Sequence, residues 1–379
     1  MMALGLFVGP ASAYPFMIGH GYTACDVCHT DPSGGSALTE YGRAQAEIFM
    51  RSVYGKRAAE YDVGSVKDFA FGVPLPKQLQ LQGDVRNMVI PEPSNFRDIL
   101  MQADLRGHLK LGGFHAYGSV GYVTEGADNA WITSNTGTGG NVVSREYWLG
   151  YDVAKGTMVR AGRLALPFGI RSEEHILFAR TATRTTTNDD QQLGLDVVYG
   201  KKKIRAELMG IAGNYQLGPD DYRERGYSAI FAYAPMNKLE LGVSSLVTHA
   251  ALDVDVQAER LRQAHGVFAR YAPVEKVRVL AEAEATLSSV DQANSVVGSV
   301  GYLQVDTEPV QGLHLKATGE WCDDDHSDTK DTTVRGGATA LWFFAPHLDV
   351  RVDGMYGTLY CTPGVAPSPM GLVQLHMFL

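Results

Sequence analysis

The sequence predicts a mainly β fold, an antiparallel transmembrane β-barrel of about 16 strands behind a small α-helical N-terminal module. Three observations support this prediction. From residue 78 onward, apolar and polar residues alternate in strands of roughly ten residues. Short turns and longer polar loops alternate along the same region without a break. Residues 14–62 instead carry a Cys-x-x-Cys-His motif, followed by apolar residues at helical spacing.

The composition agrees with a sheet that spans a membrane. The 379 residues include 42 glycines and 18 tyrosines, which suit strands and tight turns. Mean hydropathy is −0.11, and no run of about eighteen apolar residues marks a helical membrane span, although a barrel would leave no such run either. A net charge of −9 argues against nucleic acid as a partner, because that function selects for concentrated lysine and arginine.

The first segment, residues 1–13, is interpreted as a signal-peptide remnant. It combines a short apolar stretch with Ala11-Ser12-Ala13, which is typical of a cleavage site. A positively charged start is missing, so the segment does not form a complete signal peptide. We therefore expect the protein to be exported.

The second segment, residues 14–62, is predicted to be a monohaem c-type cytochrome module. Cys25 and Cys28 lie two residues apart, as covalent attachment to two haem vinyl groups requires, and His29 can coordinate the iron. A redox or zinc Cys-x-x-Cys is the alternative. We favour one covalent haem c, because the motif follows an export signal and no second Cys-x-x-Cys completes a zinc site.

The sixth iron ligand is left open by the sequence. His20, just upstream of the motif, is the first candidate, and Met17 and Met50 are the alternatives. Each also has an ordinary interpretation, as an exposed histidine or as a methionine in a small core. The residue types therefore name candidates without choosing between a histidine and a methionine.

A helix and a linker are predicted to connect this motif to the barrel. Apolar residues at helical spacing run from Leu38 to Tyr54, with Thr39 as a plausible N-cap, and residues 63–77 form a linker. A module of about fifty residues is too small to bury a haem unaided. We therefore expect it to lie in or against the periplasmic mouth of the barrel.

The barrel itself is predicted over residues 78–379. In Met101–Leu111 one face is apolar, whereas the other carries Gln102, Asp104, Arg106, His108 and Lys110. Inward residues such as Arg86, Arg106, His108 and His115 are predicted to surround the module. The alternative is that they form a wet pore wall. The predicted strands are 78–90, 97–110, 113–125, 143–153, 157–166, 192–200, 204–212, 225–234, 239–249, 263–272, 277–287, 296–306, 313–321, 332–344, 349–360 and 371–379.

Two of the longer, extracellular loops carry residues of chemical interest. Asp323, Asp325 and His326 are ligand types that suit a divalent cation such as Fe(II), although a solvated acidic loop is the blander interpretation. Cys322 and Cys361 can pair as a disulfide at the outer rim, but two strands apart the distance is marginal and loop movement is expected. The loop 167–191 is long enough to fold inward as a constriction.

The stretch from Gly21 to His29, followed by Leu38-Thr-Glu-Tyr-Gly-Arg43 and then by a barrel, resembles the fused outer-membrane cytochrome–porins. The best-known members of that family are the iron-oxidising proteins of Fe(II)-oxidising bacteria. Residues 162–171 are also similar to a strand-to-loop stretch of large porin-like barrels. The resemblance implies a bacterial outer-membrane protein whose single haem c, on the periplasmic side, passes electrons across the membrane.

Implied partners are a periplasmic c-type cytochrome or similar electron partner, an extracellular electron donor or acceptor, and outer-membrane lipid. Such a protein is an electron carrier and at most an Fe(II)-oxidising cytochrome. Two alternatives stay open at this point. The barrel could be a diffusion porin with a haem-containing plug or gate, or a sheath around a separate multihaem cytochrome.

Overall fold

A computed structural model describes most of the chain. The described residues are 14–54, 62–92, 95–124, 140–172, 174, 176–187, 190–201, 203–215, 220–328, 332–361 and 364–379. The expected signal-peptide remnant, residues 1–13, lies outside them. Among the described residues, no helix is long and apolar enough to cross a membrane.

The strands form one antiparallel sheet that closes on itself, because the first strand pairs with both the second and the last. The strands are β1 Leu79–Glu92, β2 Asn95–Leu111, β3 Phe114–Thr124, β4 Gly140–Val143, β5 Tyr147–Ala154, β6 Thr157–Leu164, β7 Gln192–Lys201, β8 Ile204–Gly213, β9 Arg225–Met236, β10 Leu239–Ala250, β11 Arg260–Val274, β12 Val277–Val290, β13 Val296–Val310, β14 Leu313–Asp323, β15 Thr332–Ala345, β16 Leu348–Gly357 and β17 Ser368–Phe378.

β4 and β5 both pair with β3 and occupy one position in the barrel. The described chain therefore forms a closed barrel of 16 strand positions, and the predicted strand count is confirmed. The sequence predicted one strand over 143–153, whereas the structure interrupts it. The side chain of Ser119 explains the interruption, because its Oγ accepts hydrogen bonds from the backbone N–H groups of Arg145 and Glu146 in place of the sheet ladder.

The predicted alternation gives the barrel an apolar outside and a polar inside. In β2, Leu105 is 48 % exposed and Leu111 is also exposed, whereas Gln102, Asp104 and Arg106 are buried. Burial of the inward side chains means that protein, rather than bulk water, surrounds them. Other parts of the chain therefore surround inward side chains such as Arg106, whereas His108 and His115 border a cavity, and the alternative of a wet pore wall stays a prediction.

One end of the barrel carries seven two-residue turns, whereas at the other end only the connection from β1 to β2 is that short and the others are longer. Short turns are typical of the periplasmic side of outer-membrane barrels. The Ala-Pro turns after Tyr271 and before His347 coincide with register shifts, as expected where proline interrupts a ladder. The chain therefore enters the barrel, and its last strand ends, on the periplasmic side.

The helices are short. They are a 3₁₀ turn Pro15–His20, helix α1 Glu40–Gln45, a π turn Ala46–Met50, helix α2 Phe178–Ala182 and a 3₁₀ turn Asp220–Tyr222. The helix predicted from Leu38 to Tyr54 thus begins at Glu40 and ends at Met50. Its N-cap is confirmed, because Thr39 Oγ1 accepts a hydrogen bond from Gly42 N at 3.0 Å.

Residues 14–54, which we call the plug, lie inside the periplasmic half of the lumen. Inward side chains from separate parts of the wall hold them by hydrogen bonds. The contacts are Leu38 N to Gln82 Oε1 on β1 at 2.7 Å, Arg270 Nη2 on β11 to Thr23 O at 2.7 Å, Arg278 Nε on β12 to Phe16 O at 3.2 Å, and Tyr14 Oη to Asp349 Oδ2 on β16 at 3.3 Å. The expected position of the module, in the barrel mouth, agrees with these contacts.

Candidate functional site

The Cys-x-x-Cys-His motif forms a tight turn in the plug. The backbone N–H groups of Cys28 and His29 both donate to Cys25 O, at 3.1 and 3.0 Å. Helix α1 packs directly on this turn, because a Cβ at Gly42 would come within 2.2 Å of Cys28 O. Glycine at position 42 therefore permits the close approach that fixes the motif against the helix.

The three side chains of the motif have the state that covalent haem attachment needs. Cys25 and Cys28 are free thiols, and burial together with the neighbouring Cys25 raises the pKa of Cys28 to about 11. Burial lowers the pKa of His29 to about 4, so its imidazole is neutral at pH 7 and can bind a metal. Its Nδ1 is buried and makes no hydrogen bond of normal geometry within the described residues. These residues fit a haem c.

A cavity of about 690 Å³ opens beside His29 at the periplasmic end of the lumen. This volume lies within the usual range of roughly 300–1,000 Å³ for small-molecule and cofactor sites. The plug contributes Asp26, His29, Thr30, Pro32 and Thr39 to the lining, and the rest comes from the end of the linker and from residues of β1–β3 and β5–β7 with their turns. The cavity is therefore a joint product of plug and barrel.

Two further histidines of the wall line this cavity. His108 on β2 and His115 on β3 are buried, and His108 Nε2 lies 3.0 Å from His115 Nδ1. Asp152 Oδ2 on β5 lies 3.0 Å from His115 Nε2. Both histidines were expected to surround the module, and the structure places them there. Of the other two expected residues, Arg106 lies near Gly35 and Ser36 of the plug, whereas Arg86 lies against His376 on β17.

His20, Met17 and Met50 do not line this cavity. The ring of His20 stacks on Phe49 with centroids 4.8 Å apart, and its Nε2 lies 3.5 Å from Glu308 Oε2 on β13. Met50 is buried in an apolar cluster with Phe16 and Phe343, and Met17 packs against the same cluster. The two methionines therefore attach the plug to the wall, which is their ordinary interpretation as core residues.

Arg160 on β6 holds the loop that follows the motif. Its guanidinium is fully buried and lies 2.6 Å from Asp31 of the plug, 2.7 Å from Asp196 on β7 and 2.8 Å from Glu207 on β8. Burial alone would raise the pKa of Asp31, but Arg160 and Arg171 outweigh burial and hold it below its usual range. The sequence did not single out Arg160 or Asp31, because nothing in their spacing shows that they meet.

The long loop after β6 folds into the lumen above the plug, as predicted. Arg180 donates to Glu282 and, at 3.1 Å, to Glu284 on β12, and Phe178 N donates to Glu320 Oε2 on β14 at 2.7 Å. Arg171 Nη1 donates to Gly34 O of the plug at 2.7 Å. The inward loop, residues 165–187, therefore contacts both the wall and the plug.

The extracellular cation site expected from Asp323, Asp325 and His326 is not assembled in the structure. Each side chain has its own partner: Asp323 accepts from Thr332, Asp325 accepts from Ser327, and His326 contacts Ser299. Within the described residues, the group of ligand atoms that converges is Cys322, Asp324 and Cys361. The two sulfur atoms of that group are already bonded to each other.

The disulfide between Cys322 and Cys361 is confirmed, with Cα atoms 5.8 Å apart. The predicted strand positions suggested a marginal distance, but the observed Cα–Cα distance lies within the usual range for a disulfide. Cys322 lies on β14, whereas Cys361 follows the end of β16 and belongs to the connection to β17. Because that connection is not bound to the strand spacing, it brings Cys361 within bonding range.

Comparison with solved structures shows that this fold is shared with outer-membrane channel proteins. OmpT of Vibrio cholerae superposes with a TM-score of 0.64 at 10 % identity, covering 80 % of this chain and 99 % of that one. An anion-selective porin from Comamonas acidovorans gives 0.57 at 13 % identity, covering 79 % and 98 %. The channel DcaP of Acinetobacter baumannii gives 0.56 at 11 % identity, covering 79 % and 97 %.

No protein-family model matches the sequence, and no curated protein sequence matches it. The structural similarities show the fold, a porin-like barrel of the bacterial outer membrane. At these identities the similarities concern the fold alone, and they carry no evidence of haem, electron transfer or iron oxidation.

Proposed function

We propose that this chain is an electron conduit of the outer membrane, with one haem c attached through Cys25 and Cys28 and coordinated by His29. The observation that carries the proposal is the position of the motif inside the lumen, where Asp26 and His29 line a cavity of about 690 Å³. A haem bound there would supply one-electron redox chemistry. The surrounding barrel supplies the burial that a plug of this size lacks on its own.

The filled lumen supports a conduit. Arg160, Arg278 and Arg335 point into the lumen, and each is at most 1 % exposed. The plug surrounds Arg160 and Arg278 from the periplasmic half, and the inward loop contacts Arg335, whose Nη2 donates to Ile176 O at 2.6 Å. Electrons can cross packed protein without an open aqueous path, whereas solutes cannot. A barrel that holds a separate multihaem cytochrome would also need the space that these residues occupy.

The charge of the periplasmic end supports an acidic electron partner. Five consecutive short turns, from β2–β3 to β11–β12, carry or adjoin described lysines, and the motif cavity opens among the first of them. These lysines are Lys110, Lys155, Lys201, Lys203, Lys238 and Lys276. These lysines form a local positive arc although the chain as a whole has a net charge of −9. Such an arc would orient a partner with a negatively charged face. A periplasmic c-type cytochrome with such a face is the proposed partner.

The extracellular donor or acceptor is proposed only as a class. A soluble one-electron reagent or metal ion outside the cell would exchange electrons through the loop end of the barrel. Fe(II) belongs to this class, and its oxidation would deliver one electron per ion. The separated side chains of Asp323, Asp325 and His326 give it no preformed site.

A second candidate function is a diffusion porin in which the plug acts as a gate. The similarity to an anion-selective porin and to the channel DcaP favours this candidate. It requires the plug to leave the lumen, which would break the contacts of Arg160, Arg270 and Arg278 with the plug. The two candidates therefore differ in whether ions cross the resting protein.

Purified full-length protein in proteoliposomes separates the two. A conduit has a covalent haem c spectrum, and its haem is reduced and oxidised by impermeant reagents on the loop side. Planar-bilayer recordings of the same protein then show no open-pore steps. Cys25→Ser/Cys28→Ser is the matched control, which keeps the barrel and loses the covalent haem. A wild-type protein without covalent haem, or one with steady porin-like conductance, would overturn the conduit.

A further inference from the structure

The His29 cavity holds a second set of metal-binding side chains, on the barrel wall. His29 from the plug, His108 from β2 and His115 from β3 line one and the same cavity. Two of the three belong to strands whose inward faces are fixed by the register Lys110↔His115 and His108↔Tyr117. The wall therefore presents imidazoles to the space in which the metal of His29 would lie.

The two wall histidines form a chain that ends on a carboxylate. Asp152 Oδ2 lies 3.0 Å from His115 Nε2, and His115 Nδ1 lies 3.0 Å from His108 Nε2. Metal-binding histidines commonly use one ring nitrogen for the metal and the other for a polar partner that fixes the ring. His108 has this arrangement, because its Nδ1 makes no hydrogen bond within the described part of the chain. His115 has no such free nitrogen, because one ring nitrogen lies beside Asp152 and the other beside His108.

The position of His20 disagrees with a role at the same metal. His20 lies between Phe49 and the pair Arg278–Glu308, on β12 and β13. The cavity of His29 is bounded by β1–β3 and β5–β7. Between β7 and β12 the wall advances by five strands of about 4.8 Å each. His20 therefore faces a different sector of the lumen from the one that His29 faces.

We propose that His108, a residue of the barrel wall, is the second axial ligand of the haem that His29 coordinates, with His115 and Asp152 as positioning residues. This inference rests on the proposed haem c. It makes the cofactor a bridge between plug and wall, with one axial ligand from each. The plug alone would then be unable to complete the site.

The spectrum of the haem-loaded, full-length protein tests this assignment. Wild type is expected to show a low-spin spectrum, and His108→Ala is expected to become high-spin at neutral pH while its haem stays covalently attached. Added imidazole should restore the low-spin spectrum of His108→Ala, because it replaces the missing ligand. His20→Ala is the matched control and should keep the wild-type spectrum.

Two further variants keep the test decisive. His108→Met should fold in the same barrel and stay low-spin, with a higher reduction potential than wild type. His115→Gln should stay low-spin but shift the potential, because only the partner of the ligand is changed. A His108→Ala protein that stays low-spin, or a His20→Ala protein that becomes high-spin, overturns the assignment. Absence of covalent haem from wild type would instead overturn the proposed function, together with this inference.

Discussion

At the scale of single residues, the lumen is organised by buried charges that meet partners from distant parts of the chain. Arg160 shows this best, because it neutralises Asp31 of the plug together with Asp196 and Glu207 of the wall. An unpaired buried charge would be costly in free energy, so the buried guanidinium and the carboxylates around it stabilise one another. These ion pairs fix the position of the plug in the lumen more exactly than apolar packing alone would.

Asp31→Asn is expected to weaken the docking of the plug by about 1.5–3 kcal/mol, because it removes a charged hydrogen-bonding partner of Arg160. The pKa of Asp31 lies below its usual range in the docked state, so an undocked plug binds more protons in acid. Docking is therefore fully favourable above about pH 4 and weakens as the pH falls further. Hydrogen-exchange protection factors of residues 26–36 at pH 7 and pH 3, each taken relative to the intrinsic exchange rate at that pH, measure this.

The control for that experiment is Asp325→Asn, in an exposed extracellular loop whose carboxylate bonds only locally to Ser327. It should leave exchange in the plug unchanged at every pH. A wild-type plug with equal protection factors at pH 7 and pH 3, or an Asp31→Asn protein with wild-type protection at pH 7, would contradict the prediction.

At the scale of elements, two irregular segments rather than strands determine what the barrel can pass. The plug fills the lumen from the periplasmic end, and the inward loop fills it from the other end. They meet where Arg171 donates to Gly34 O. Neither segment has enough regular structure to be stable alone, so each depends on the wall that surrounds it. A change in one segment is therefore expected to reach the other.

Arg180→Gln is expected to loosen the inward loop. Arg180 donates to Phe168 O and Thr185 Oγ1 within the loop and to Glu284 on the wall. Loss of its charged bonds, each worth about 1.5–3 kcal/mol, should speed hydrogen exchange of residues 165–187 by about tenfold or more. Lys276→Gln, at an exposed periplasmic turn, is the comparison that should not change this exchange. Unchanged protection in Arg180→Gln would show that other contacts hold the loop.

At the scale of the whole molecule, the barrel is an apolar belt around a polar, protein-filled interior. Outward residues such as Val243 and Val267 are exposed, and they pair across neighbouring strands at mid-height. Closure of β1 on β17 leaves no free strand edge within the belt. The molecule is therefore suited to lipid on the outside, whatever it carries inside.

Val267→Arg is expected to destabilise the folded barrel in lipid by about 2–4 kcal/mol, because it places a charge on the outward face in the middle of β11. Val256→Arg, in the exposed loop between β10 and β11, is the matched control and should cost little. Reversible unfolding in lipid vesicles gives both free energies. Equal stability of the two variants would mean that Val267 does not face the hydrocarbon core.

Patterns among neighbouring residues were enough to predict the features of this protein that depend on local structure. Alternation at every second residue and the regular succession of short turns and longer loops predicted the barrel and its strand count. The spacing of Cys25, Cys28 and His29 predicted the haem motif, which stays a prediction until haem is measured. Thr39 was recognised as an N-cap because capping needs only residues three positions apart. These features are encoded by neighbours along the chain.

The contacts between side chains inside the lumen depend on closure of the barrel, and local patterns do not encode them. His108 and His115 join the cavity of His29, whereas His20 faces another sector, although His20 is closer to the motif along the chain. Arg160 and Asp31 meet across 129 residues, and no periodicity encodes a contact at such separation. Closure of the sheet brings these side chains together, because it points every second residue of sixteen strand positions toward one shared interior.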